Sequence, residues 1–310
     1  MFILRGLMVG LAFFGVCYCP LALLVVVFWH AVRFFRFDSI FKSPESLFAL
    51  RIFPIAASAF MTLFFAMPAF FVHEGGMDED LGTLMFGLGA LLLLTAGCVR
   101  VVAGHYRASS MINGWLEESK VLNSSPPAPT FCAKRSFPPL LLYGINTPKV
   151  LVSEAAVALL SPEELAVAIR HEISHLRSRD NLKKLLMHGS PFPGMGALEN
   201  AWQERKELAA DEAAVLSSED GLNLATALVK LCSLAHTHEP PAFATAGLLE
   251  PTVLVDLRVR RLLTWNGAVG GPRNIRWIWF PLLCSGLACS IYFYGHSLVL
   301  AHQFTEWLIH

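Results

Sequence analysis

The stretch SPEELAVAIRHEISHLRSRDNL, Ser161 to Leu182, decides how the rest of the chain is read. Ser161 is a good N-cap, Pro162 suits the first helical position, and Glu164 completes a Ser-x-x-Glu capping box. The pattern predicts a helix over about 162–178. On it His171 and His175 stand one turn apart on one face. Two imidazoles so placed can hold one Zn²⁺ at about 2.0–2.1 Å each. Glu172 lies beside that face, where it can reach an attacking water rather than the metal. A solvated helix face carrying two histidines has the same spacing, so a third ligand must be found.

Downstream, ALENAWQERKELAADEAAVL (197–216) predicts a second helix after the break GSPFPGMG (189–196). Glu207 and Asp211 share a face at i,i+4. Glu207 is a candidate third ligand, and Asp211 can accept the far N–H of a ligating histidine. Glu204 lies on nearly the same stripe and is the rival ligand. Ala209, Ala210, Ala213 and Ala214 are small enough to let this helix approach the first. Further helices are predicted over Leu222–His236 and Val253–Leu263, and short strands over LLLYG (140–144) and KVLVS (149–153). The KVLVS strand is expected to offer an edge to an extended substrate. SSPPAPT (124–130) reads as a linker, and Met111, Ile112, Trp115 and Leu116 predict an amphipathic helix over about 108–122.

The chain is 55% hydrophobic and 15% charged, against about 25% charged in soluble domains. The deficit sits in four stretches: 6–32, 52–72, 82–99 and 277–303. Each reaches the roughly 18 apolar residues that cross a bilayer as a helix. The first is too long for a signal peptide, lacks a small-x-small cleavage site and runs straight into Arg33 and Arg36. Arg33, Arg36, Lys42 and Arg51 crowd the first loop, whereas the second holds Glu74, Asp78, Glu79 and Asp80 and no Lys or Arg. The positive-inside rule then puts the first loop, and the segment after Arg100 and Arg107, in the cytoplasm. The expected plan is predominantly α, with three membrane helices in 1–103, a cytoplasmic α+β unit with a small sheet in 104–274, and a fourth membrane helix in 275–310. The expected location is a bacterial inner membrane, in contact with its lipid.

A net charge of zero gives no bulk attraction to nucleic acid. The seven cysteines include no C-x-x-C pair, which argues against a thiolate zinc site or a disulfide framework. His236 and His238, in AHTHEPP, are candidate donors to an oxyanion, although a surface loop is the plainer reading. Arg258, in DLRVRRLL, reads as half of a structural ion pair.

HEISHLRSRD followed by KELAADEAA (206–214) resembles the gluzincin-like membrane peptidases with H-E-x-x-H and E-x-x-x-D motifs. Two families are close: the CAAX-prenyl-protease and HtpX type (metallopeptidase family 48), and the BlaR/MecR antirepressor type (metallopeptidase family 56). Three membrane helices before the motif and one after, together with the run PKVLVSEAAVALLSPEELAVAIRHEISHLRSRDNL (148–182), look like the second. The resemblance implies a gluzincin-like fold and one Zn²⁺ held by His171, His175 and Glu207. It also implies Glu172 as the catalytic base and Asp211 orienting a ligand. The implied substrate is a protein or peptide, such as a cytoplasmic transcriptional repressor. The chain departs from the family pattern in two ways. No penicillin-binding sensor domain is expected after FTEWLIH, and GSPFPGMG replaces a more aromatic stretch. Quality-control proteolysis of the HtpX kind, or a non-catalytic signalling protein with a structural zinc, are the rival expectations.

Overall fold

The structure is a computed structural model that describes residues 2–73, 81–123, 127–134, 138–235, 252–265, 267, 299–300 and 303–304. The fourth apolar stretch, 277–303, falls almost wholly outside them, as do 74–80 of the acidic second loop. The described chain is mostly helical, with one small mixed sheet.

Three helical segments are long and apolar enough to cross a membrane: Ile3–Phe34, Pro44–Phe71 and Gly82–Glu117. The first is helix α1 (Phe2–Phe34). The second is α2 (Pro44–Met61) and α3 (Met67–His73), joined through a π turn at Thr62–Ala66. The third is α4 (Leu81–Glu117). Their outer faces carry exposed Leu23, Leu24, Val27, Leu63, Phe64 and Leu92, as expected where lipid rather than water is the neighbour.

The second segment begins earlier than the apolar run predicts. Ser43 caps α2, its side chain accepting from the Glu45 N–H at 3.1 Å, and Pro44 opens the first turn. Arg51 therefore lies inside α2, not in the loop where its charge placed it. The predicted amphipathic helix is the end of α4, which stops at Glu117, and Lys120–Asn123 is strand β1. The predicted boundary between membrane and soluble parts, at 103/104, falls in the middle of this continuous helix.

Strands β2 (Thr130–Ala133), β3 (Leu140–Tyr143) and β4 (Lys149–Ser153) complete a sheet of order β1-β2-β4-β3. Thr130, read as the end of a linker, thus opens β2. β2 and β4 run parallel; the other pairs are antiparallel. β2 and β4 are consequently inner strands, and β1 and β3 are the edges. Alternate side chains divide the sheet between two layers. Leu140, Leu142, Val150 and Val152 join the main core. Leu141 and Leu151 face Ile112, Trp115 and Leu116 at the end of α4.

Short α5 (Glu154–Leu159) leads to α6 (Pro162–Arg177), and α7 (Asp180–His188) follows after a two-residue turn. The chain continues in α8 (Gly196–Ala214), α9 (Ser218–Ala235) and α10 (Thr252–Leu263). Helix α6 has the predicted capping box: Ser161 Oγ accepts from the Glu164 N–H at 3.2 Å, and Glu164 accepts from the Ser161 N–H at 2.9 Å. Such a cap is worth about 1 kcal/mol. Helix α6 packs on β3, α8 and α9. Helix α8 has a second role. Its Leu198 and Trp202, with Met187 and Met195, share a core with Tyr18, Val25 and Trp29 of α1 and Leu47 of α2. The helix is thus wedged between α6 and the apolar bundle. Gly97 of α4 permits the same closeness at the 189–195 turn, since a Cβ there would lie 2.3 Å from the Gly189 carbonyl oxygen.

Candidate metal centre

His171, Glu172 and His175 lie on the buried side of α6, where it meets α8, and are at most 2% exposed. Glu207 and Asp211 come from the facing side of α8 and are buried too. Ala210 and Ala214 are the small residues at this contact; Ala209 is half-buried and Ala213 is exposed, so the last does not contribute to the close approach. Glu204 is half-buried and is not in the cluster, which leaves Glu207 as the facing carboxylate.

The ligating atoms of His171, His175 and Glu207 converge. His171 Nε2 lies 3.1 Å from His175 Nε2. Glu207 places Oε2 at 3.4 Å from the first and Oε1 at 3.6 Å from the second. One ligating atom from each of the three residues lies within 4.8 Å of the others, close enough for all three to hold a single metal ion. Neither oxygen of Glu207 nor either oxygen of Glu172 has a hydrogen-bond partner among the described residues. Glu207 has cations within ion-pair distance, Arg258 and Lys206, but Glu172 has none among the described residues, and its two buried oxygens carry a heavy desolvation cost unless a cation or a water meets them. The residues present therefore fit a divalent metal ion.

A second layer orients the ligands. His175 Nδ1 is 2.7 Å from Asp180 Oδ2. That carboxylate arrives because Arg179 takes a left-handed backbone conformation (φ 55°), which turns the chain sharply into α7. His171 Nδ1 lies 3.0 Å from Asp211 Oδ1, close enough to orient the ring although not aligned as a hydrogen bond. Arg258 of α10 forks onto both oxygens of Asp211 at 2.7 Å and reaches Glu207 Oε2 at 3.2 Å. Arg258 is thus the ion-pair partner expected of it, held by two carboxylates of the centre. On the opposite side Lys206 Nζ lies 3.5 Å from Glu207 Oε1 and 5.2 Å from the centre of the Trp202 ring.

The electrostatics follow from burial and charge. Burial pushes the Glu172 carboxyl up, only partly offset by the two histidines. Burial also opposes ionisation of Glu207 and Asp211, but His175 holds Glu207 well below the usual carboxylate range and Arg258 lowers Asp211. Burial lowers His175, yet Glu207 and Asp180 outweigh it and lift the ring to about 9.

Of the residues expected at the site, His171, Glu172, His175, Glu207, Asp211 and Arg258 come together. His236 and His238 lie outside the described residues. Asp180, Lys206 and Arg51 of α2 were not anticipated as part of the centre or its support. Asp180 had one available signal: a carboxylate five residues after the second histidine, just past the helix end. A cleft of about 480 Å³ opens beside His175, bounded by Leu142, Gly144, Ile145 and Asn146 at the end of β3 and by Leu176 and Arg179.

No protein-family model matches the chain, and a search of curated proteins finds none similar to it.

Proposed function

We propose that the chain is a membrane-embedded zinc endopeptidase of the BlaR/MecR type, with a gluzincin-like catalytic unit on the cytoplasmic side and a fourth membrane helix over 277–303. The observation that carries this reading is the convergence of buried ligating atoms from His171, His175 and Glu207, with the Glu172 carboxylate, which has no hydrogen-bond partner among the described residues, beside them. Zinc, when bound by His171, His175 and Glu207, supplies a Lewis acid that polarises a peptide carbonyl and makes water nucleophilic near neutral pH. Glu172 takes the proton from the attacking water and passes it to the leaving amine. Asp180 and Asp211 hold the two imidazoles with Nε2 turned inward.

An extended peptide has a route to this centre. The outer edge of β3 borders the cleft beside His175, so strand addition is assigned to β3 rather than to the inner strand β4. Asn181 already donates to the carbonyls of Leu142 and Gly144, at 3.4 and 3.1 Å. This marks the end of the edge that a substrate can use. Arg33, Arg36 and Lys42 still support a cytoplasmic first loop without Arg51. A cytoplasmic regulator, such as a repressor, is the proposed substrate. Cleavage of membrane proteins is the second reading, favoured by the direct packing of α8 on α1 and α2.

Purified protein should contain about one zinc per chain. Glu172→Gln should keep the metal and lose cleavage by at least about 10²-fold. A variant that cleaves as fast as the parent refutes the mechanism, and metal bound without proteolysis of any protein substrate points to a structural zinc. A reporter active only in the periplasm, fused after residue 120, should be silent; strong activity refutes the orientation.

A further inference from the structure

The peptidase mechanism leaves the buried charge beside Glu207 without a role. Lys206 is 3% exposed, and burying an ammonium is costly unless something in the fold needs the charge. Its neighbours are the metal-ligand candidate Glu207 and the face of Trp202. The ring attracts a cation, but Trp202 also packs against α1 and α2 and would do so equally well beside an apolar side chain.

The geometry around Glu207 is two-sided. Arg258 approaches Oε2 at 3.2 Å and Lys206 approaches Oε1 at 3.5 Å. Arg258 is tied bidentately to Asp211. Lys206 has no such second carboxylate in hydrogen-bond reach among the described residues; its charge is felt by Glu207, Glu172 and His175. Arg258 and Lys206 are thus two cations that approach opposite oxygens of the same candidate ligand.

We infer that Lys206 is a positioning residue that acts through Glu207: it draws negative charge away from the ligand carboxylate, weakening the grip on zinc and keeping the bound metal electrophilic. This rests on the metal-centre reading above. A strongly donating, fully anionic ligand set binds a cation more tightly but leaves it a poorer Lewis acid. A cation beside the ligand trades affinity for reactivity. A purely structural ion pair predicts the opposite sign. Removing Lys206 would then loosen Glu207, and zinc with it.

The test uses the full chain in detergent micelles, with zinc affinity measured by competition against a chelator and cleavage measured alongside. Lys206→Met, an apolar side chain of similar length, should bind zinc about tenfold or more tightly than the parent, because a positive charge close to the ion is removed. Its kcat should fall by a similar factor with KM little changed. Lys206→Arg should restore both values toward the parent. Lys206→Gln, which can donate to Glu207 without charge, takes the place of the Met variant if that one does not fold. Equal or weaker zinc binding by a folded, uncharged variant overturns the inference while leaving the metal centre intact. Failure of the parent chain to bind zinc overturns the metal-centre reading itself.

Discussion

Arg51 offers the sharpest test of how the apolar bundle is joined to the rest of the chain. It sits in α2, is 2% exposed, and spends its whole guanidinium on the end of α7, the turn after it and the first turn of α8. Nε donates to Glu199 Oε1 at 2.8 Å, Nη1 to Ser190 Oγ at 3.1 Å, and Nη2 to the carbonyls of Ser190 and Met187 at 2.7 and 3.1 Å. Arg51→Met keeps most of the volume and removes all four bonds. Breaking a buried charged pair on one side costs about 3–5 kcal/mol. The low end applies here for three reasons. Glu199 is one-third exposed and can be hydrated. The Met187 carbonyl still accepts from the Ser190 N–H at 3.2 Å. The Ser190 carbonyl keeps the Tyr18 hydroxyl at 3.3 Å. A loss of about 3 kcal/mol corresponds to roughly 5 °C in Tm for a chain of this size, read by thermal unfolding in detergent. Arg51→Lys should recover little, because one ammonium cannot reproduce the planar fork that meets these separate acceptors. An Arg51→Met protein that melts within about 1 °C of the parent refutes the view that Arg51 clamps α2 to α8.

Two further outcomes are expected. Asp180→Asn leaves His175 Nδ1 with a weaker, uncharged acceptor, so zinc affinity should fall about 10–100-fold in a chelator competition while the fold persists. Asp220 accepts from Arg170 on α6 and from the Leu216 N–H at 3.0 Å, and the hydrogen bonds from Arg170 hold its carboxyl below the ordinary value. A carboxyl lowered by folding stabilises above its unfolded pKa and loses that contribution as pH falls through the folded one. Asp220→Asn should therefore cost about 1 kcal/mol at neutral pH, given its partial exposure. The deficit should vanish in unfolding curves taken below about pH 3.

Those elements whose signals are local were legible in the sequence. The capping box and Pro162 set the start of α6, the alternation in LLLYG and KVLVS marked β3 and β4, and the charge-free runs marked three membrane-length helices. Elements whose signals are overridden by tertiary context were not. Lys120–Asn123 is exposed along its length and carries no alternation; it is a strand because β2 offers an edge to pair with. Arg51 was read by its charge as a loop residue. Ser43 and Pro44 are as good a helix start as Ser161 and Pro162, but they open a segment whose first turns also contain Glu45 and Arg51, so hydropathy alone began the helix eight residues late.

The centre divides along the same line. His171, Glu172 and His175 announce themselves because a helix converts four-residue spacing directly into a shared face. Glu207 and Asp211 do so in the same way on α8, though spacing alone left Glu204 in contention. What spacing cannot express is which face of α8 meets α6, since that depends on burial on both sides of the helix. Leu198 and Trp202 commit one side of α8 to the apolar bundle, and Glu207, Asp211 and Ala214 are then the residues left to face α6 and the main core. The same division strands Lys206 between the two surfaces: one position before Glu207, too far round the helix to reach water freely and too close to the cluster to be indifferent to it. An ammonium in a KELAADEAA run reads as ordinary surface charge until the second surface of α8 is known. The bundle that fixes the orientation of α8 is therefore also what turns an unremarkable lysine into part of the electrostatics of the centre.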